Sequence, residues 1–243
     1  MKRRESTNCD DRPQGASIDM LVLHYTDTKT AEEALALLLD PEKKVSAHYL
    51  VDESGEIFQL VPENKRAWHA GVSSWRGREK LNDFSIGIEV ANPGHTCGYR
   101  PFPSVQMQSV IELCQDILDR HPIPAQNVVA HSDIAPARKK DPGELFEWAR
   151  MAREGIGLWP EFPAELAEIT ELDTGMINKD VEKLQSRLVA YGYGLKVDGY
   201  FGNATQGVVT AFQRHFTPRQ VNGAWGALQD AALTGLLKLI GIA

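Results

Sequence analysis

Apolar and polar positions alternate along the first two thirds of the chain in a way that separates short strands from helices. Met20 to Leu23 is an unbroken apolar run that ends in His24, Tyr25 and Thr26, the pattern of a short buried strand. Thr30 to Leu39 places apolar residues at helical spacing and stops before Pro41, so it predicts a helix. Ala47–Val51 and Ile57–Val61 flank the turn-forming Asp52-Glu53-Ser54-Gly55 and predict a β-hairpin. Ser85–Ala91 predicts a further strand, Ser104–Arg120 a helix bounded by prolines, and Val128–His131 a last short strand. Interleaved strands and helices predict an α/β domain, a mixed central sheet flanked by helices.

The pattern then changes. Pro160 and Pro163 mark a loose connection. Beyond it Val181, Leu184, Leu188 and Tyr191 fall at helical spacing, as do Val208, Val209, Phe212 and Phe216, and Leu228, Ala232, Leu236 and Leu239. This predicts a small all-α domain of three helices around the glycine-bearing turn Val197-Asp198-Gly199-Tyr200-Phe201-Gly202. The expected division is a catalytic domain over 15–160, a linker over 161–172 and a helical domain over 173–243.

Composition narrows the class. The 243 residues carry a net charge of −7 with no long basic run, which argues against nucleic-acid binding. No apolar stretch is long enough for a transmembrane helix. Cys9, Cys97 and Cys114 form an odd, sparse set, read as reduced thiols without a cysteine metal site. The polar, charged start lacks the apolar segment of a signal peptide, so the expected location is the cytoplasm.

His24 and His131 both sit at strand ends, and Asp141 follows His131 by ten positions. Two imidazoles and a carboxylate suit Zn²⁺ and leave one coordination position open for chemistry. Seven histidines offer many such trios, so spacing alone selects this one weakly.

The surrounding motifs select it strongly. Leu23–Thr26, Val45–Tyr49, Ala67-Trp68-His69-Ala70-Gly71, Asn82–Glu89 and His131–Gly143 occur in order, and together they resemble the type-2 N-acetylmuramoyl-L-alanine amidases. This group includes phage-type lysozyme amidases, bacterial anhydro-muramoyl amidases and peptidoglycan recognition proteins. The resemblance covers about residues 15–160. It implies zinc held by His24, His131 and Asp141, and hydrolysis of the amide between N-acetylmuramic acid, or its 1,6-anhydro form, and L-alanine. Glu89 is implied as general base and Lys139, two positions before the third ligand, as the stabiliser of the oxyanion. His69 is expected to line the groove and touch substrate. His48 is open between a core and a supporting role, and Trp68 and Trp75 between sugar stacking and burial.

The C-terminal segment resembles the three-helix peptidoglycan-binding module through Val181–Leu188, Val197–Gly202 and Val208–Gln213. It is expected to tether the enzyme to its substrate, or else to act as an accessory stabilising domain. A polymer-binding module favours the envelope, an alternative to the cytoplasm. The expected partner is peptidoglycan or a muropeptide, bound by a monomer. A non-catalytic recognition protein using the same groove is the rival reading.

Overall fold

The computed structural model describes residues 1–242. Ten strands are present: β1 Lys2–Arg3, β2 Cys9–Asp11, β3 Met20–Tyr25, β4 Tyr49–Val51, β5 Ile57–Gln59, β6 Lys65–Ala67, β7 Ser74–Trp75, β8 Arg78–Glu79, β9 Ser85–Val90 and β10 Val128–Ala130. The α-helices are α1 Ala31–Leu39, α2 Gly94–Cys97, α3 Ser104–Arg120, α4 His131–Ile134, α5 Trp148–Arg153, α6 Lys179–Tyr191, α7 Asn203–Phe216 and α8 Ala227–Leu239. No described helix is long and apolar enough to cross a membrane.

The central sheet has six strands in the order β1-β5-β4-β9-β3-β10. The strands β4, β9, β3 and β10 run parallel, whereas β5 pairs with β4 antiparallel. The expected α/β fold with a mixed sheet is therefore present. Strand alternation divides the side chains of β3 and β9 between two faces. Leu21, Leu23, Ile86 and Ile88 pack with Met107, Val110, Ile111 and Cys114 of α3. Met20 and Val22 point the other way, as do His24, Gly87 and Glu89 by the same alternation.

The predicted helices α1 and α3 begin within a residue of their expected starts. The Thr30 side chain caps α1 by accepting from the Glu33 N–H at 3.2 Å. The folded unit starts earlier than residue 15, because Lys2–Arg3 pairs with β5 and Cys9–Asp11 with β6. Arg12 fixes this segment by donating to the carbonyls of Glu63, Asn82, Asp83 and Ser85. Its polar sequence hides the pairing, since both strands are short and neither buries a residue.

The three C-terminal helices form as predicted. The buried Gln185 accounts for the glycine-bearing turn: its oxygen accepts from the Asp198 and Gly199 N–H groups, and its amide donates to the Tyr200 carbonyl. Gln213 repeats the device on α7, bridging the Asn222 and Gly223 N–H groups and the Ala224 carbonyl.

The helical module is not held at a distance by its exposed connection. One apolar core runs from Met20, Val22 and Val129 of the sheet through Trp75, Leu81 and Ile134 to Leu188, Tyr193, Phe212 and Leu236 of the module. Trp75 is 1% exposed and packs edge-on against Tyr191 and Tyr193. It is thus a buried anchor, and the sugar-stacking alternative for it falls away. Backbone pairing joins the two units as well, with Trp75 bridged to Tyr193 and the Arg76 N–H donating to the Gly192 carbonyl at 2.8 Å.

A continuous core predicts cooperative melting. Calorimetry of the whole chain is expected to give one unfolding transition, and Trp75→Ala is expected to lower stability by about 3–5 kcal/mol. Two well-separated transitions would show that the units melt independently.

Candidate metal centre

The register of the sheet assembles the centre. Leu23 pairs with Ala130, so His131, the next residue after β10, lies beside His24 at the carboxyl ends of parallel strands. Such strand ends are where open α/β sheets form ligand crevices. His24 is also the direct cross-strand partner of Glu89. The chain then leaves α4 and returns, and the Ser132 N–H donates to the Asp141 carbonyl at 3.0 Å. This hydrogen bond brings the Asp141 carboxylate over the two imidazoles.

The three expected ligands converge. His24 Nδ1 lies 2.9 Å from His131 Nδ1, and Asp141 Oδ2 lies 3.0 Å from each. All three residues are buried.

Hydrogen bonds fix which nitrogen of each ring carries the proton. The Ser85 hydroxyl donates to the Leu81 carbonyl at 2.7 Å, so toward His69 Nε2, at 3.1 Å, it acts as acceptor. His69 therefore donates from Nε2 and accepts at Nδ1. Its partner there is His24 Nε2 at 3.0 Å, which must donate. His24 Nδ1 is left as a bare lone pair. On the other side His131 Nε2 donates to the Ala70 carbonyl at 3.1 Å, which leaves His131 Nδ1 bare in the same way.

Two imidazole lone pairs and a carboxylate oxygen thus face one another, and all three are acceptors. Like-signed atoms this close repel unless a cation lies between them. Tetrahedral ligand bonds of about 2.0–2.2 Å would separate the atoms by about 3.3–3.5 Å, so the side chains need part only slightly to admit an ion. The donor set fits a divalent metal.

Electrostatics agree. Burial, with His131 nearby, pushes His24 down to about 4, so its ring is neutral at neutral pH. Burial, reinforced by the Asp141 charge, pushes the Glu89 carboxyl well above the ordinary value. Its Oε2 is buried without a hydrogen-bond partner. Glu89 and Lys139 both line the cleft onto which His24, His131 and Asp141 open.

His69 has a different place from the one expected of a substrate contact. It is 6% exposed and borders the cleft, but both of its ring nitrogens are engaged inside the protein. Gly87 makes room for it. A Cβ at that position would lie 2.5 Å from the His69 ring. His48 is a core residue, fully buried, accepting from the Gly87 N–H at 3.0 Å. His95, which no motif marked, also lines the cleft, held by the Tyr25 hydroxyl at 2.9 Å and by Glu144 at 3.2 Å. Its signal is tertiary, since Tyr25, His95 and Glu144 are far apart in sequence.

The hydrogen-bond chain behind His24 is open to test. His69→Ala is expected to weaken metal binding about 10- to 100-fold, measured by chelator competition. Unchanged affinity would remove His69 from the support of the centre.

Residues 14–144 match the family model described as N-acetylmuramoyl-L-alanine amidase, and residues 178–233 match a putative peptidoglycan binding domain. The amidase AmiD of Escherichia coli (strain K12) is 41% identical over 260 residues, covering 98% of this chain and 90% of that protein. The 1,6-anhydro-N-acetylmuramyl-L-alanine amidase AmpD of the same organism is 40% identical over 167 residues, covering 62% of this chain and 89% of that protein. The structure of E. coli AmiD in complex with anhydro-N-acetylmuramic acid-L-Ala-D-gamma-Glu-L-Lys superposes with a TM-score of 0.81 at 40% identity, over 95% of this chain and 93% of that one. AmpDh3 from Pseudomonas aeruginosa superposes at 0.76 and 30% identity, over 93% and 94%. With the ligand trio, the sheet and the motifs in agreement, the chain belongs to the N-acetylmuramoyl-L-alanine amidase family.

Proposed function

We propose that the chain is a zinc-dependent hydrolase of the amide between N-acetylmuramic acid, or its 1,6-anhydro form, and L-alanine in peptidoglycan or muropeptides. The observation that carries this reading is the pairing of Glu89 with His24 across β9 and β3, which sets an unpartnered carboxyl beside a three-ligand centre open to a cleft. His24, His131 and Asp141 would hold the zinc, which would supply a Lewis acid and lower the pKa of the attacking water.

The chain's own residues do the rest. Glu89, made more basic by burial, takes the proton of the attacking water on its carboxylate and returns it to the nitrogen of the departing L-alanine. Lys139 offers ammonium N–H groups to the amide oxygen as its negative charge grows. His24 and His131 keep their protons on Nε2, held by His69 and by the Ala70 carbonyl, so each Nδ1 lone pair stays turned toward the metal position. Burial of the centre excludes bulk water and strengthens these charges.

A recognition protein that only holds muropeptide would need none of Glu89, Lys139 and Asp141 around one cleft. That grouping favours the enzyme over the binder.

Digestion of sacculi and of anhydro-muropeptides, followed by mass spectrometry, is expected to release free stem peptides beginning at L-alanine. A chelator should stop release and added zinc restore it. Intact substrate after zinc loading would sink the amidase reading. Glu89→Ala is expected to keep its zinc and lose about 10²- to 10⁴-fold in kcat. Lys139→Met should lose about 10²- to 10³-fold, mainly in kcat. His24→Ala should lose metal and activity together.

A further inference from the structure

Two neighbouring residues of the helical module reach into the amidase unit. His215, near the end of α7, donates from Nδ1 to Asp133 Oδ2 at 2.7 Å, and both side chains are almost fully buried, at 3% and 1% exposure. Tyr193, in the turn after α6, donates its hydroxyl to the other oxygen, Asp133 Oδ1, at 2.8 Å. Asp133 Oδ2 also accepts from the Ala130 N–H at 2.8 Å. Ala130 ends β10, and the next residue is the ligand His131. One carboxylate therefore ties the strand-to-helix corner that carries His131 to two side chains of the module.

The contact is built for fixed geometry. The His215 ring stacks on Trp148 with centroids 3.8 Å apart. Ile134, at the end of α4, packs into the core shared with the module. At Gly207 of α7 a Cβ would stand 3.4 Å from the Pro136 carbonyl, so the helix lies against the backbone of the segment joining His131 to Asp141. The adjacent Arg214 reaches Glu144 at 3.4 Å, and Glu144 holds His95 at the cleft wall.

We propose that His215 and Tyr193 are positioning residues for the metal centre, acting through Asp133 on His131, so that the peptidoglycan-binding-like module forms part of the active-site scaffold. This rests on the metal-centre reading above. An isolated four-residue helix such as α4 is too short to hold its own shape in water. Without the module, the Asp133 carboxylate keeps only the Ala130 bond and the corner is free to turn the His131 ring off its lone-pair direction.

The test uses the full chain, with zinc and cobalt as the metal probes. Tyr193→Phe removes one hydroxyl and leaves the ring packing, so it keeps the experiment open if a harsher variant fails to fold. Tyr193→Phe and His215→Leu, measured well below their melting temperatures, are expected to bind zinc about 10-fold more weakly than wild type by chelator competition. Cobalt-loaded forms should show an altered visible spectrum, and kcat should fall more than KM rises. His215→Asn, whose amide N–H takes the place of Nδ1, is expected to recover most of the zinc affinity. A purely structural role would lower the melting temperature and leave zinc affinity and the cobalt spectrum unchanged, and that result overturns the proposal. Equal affinity in the Asn and Leu variants also overturns it. A wild-type chain that takes up no metal overturns the centre and the proposal together, whereas a metal-binding wild type with unaffected variants overturns the proposal alone.

Discussion

The constraint on which the site depends is the convergence of three acceptors, two imidazole Nδ1 atoms and one carboxylate oxygen, within about one atomic diameter. Nothing in an isolated histidine prefers its Nδ1 lone pair over its Nδ1 proton in that direction. The choice is made by whatever accepts the Nε2 proton. For His131 the acceptor is a backbone carbonyl, that of Ala70. For His24 it is another imidazole, His69, whose own tautomer is set by the Ser85 hydroxyl and finally by the Leu81 carbonyl. Each chain of donors ends on the backbone of the segment from Ala70 to Leu81, so that segment orients both rings. It also carries Trp75, which anchors the helical module.

This dependence gives physical meaning to family motifs that look unrelated along the chain. Trp68-His69-Ala70-Gly71 supplies both an acceptor ring and an acceptor carbonyl for His24 and His131. Ser85-Ile86-Gly87-Ile88-Glu89 supplies the hydroxyl that fixes His69, the missing side chain that makes space for its ring, and the carboxyl of the proposed base. Alternation along one strand puts Ser85, Gly87 and Glu89 on the same face, so a single strand serves the support of the centre and its chemistry.

The larger elements were legible because they follow hydrophobic period. β3, β9, β10, α1, α3 and the three C-terminal helices all fall where apolar spacing puts them. The ligand trio was legible only through the ordered motifs. What spacing alone could not disclose were relations between distant polar residues. No motif marks His95 or His215, and each acquires its place from partners more than forty residues away. An aromatic side chain suits a sugar platform or a core, burial being the simpler reading of Trp75, and the packing of Tyr191 and Tyr193 decides for the core. The edge strands β1 and β2 are too short and too polar to show a period.

The shared core also changes what the C-terminal module can contribute. A tethered binding domain raises the local concentration of substrate most when its linker just spans the distance between the two sites, and the gain falls as the linker lengthens. Here the connection over 161–171 is exposed, but the module it leads to is docked through buried aromatic and polar contacts. Any surface on the module is therefore held at a fixed distance and angle from the cleft. Such an arrangement sacrifices reach and gains registration: a polymer strand bound to the module would present its stem peptides to the metal centre at one set position. For a small soluble muropeptide the same docking brings no gain in local concentration. There its contribution reduces to the rigidity it lends the corner at His131 through Asp133.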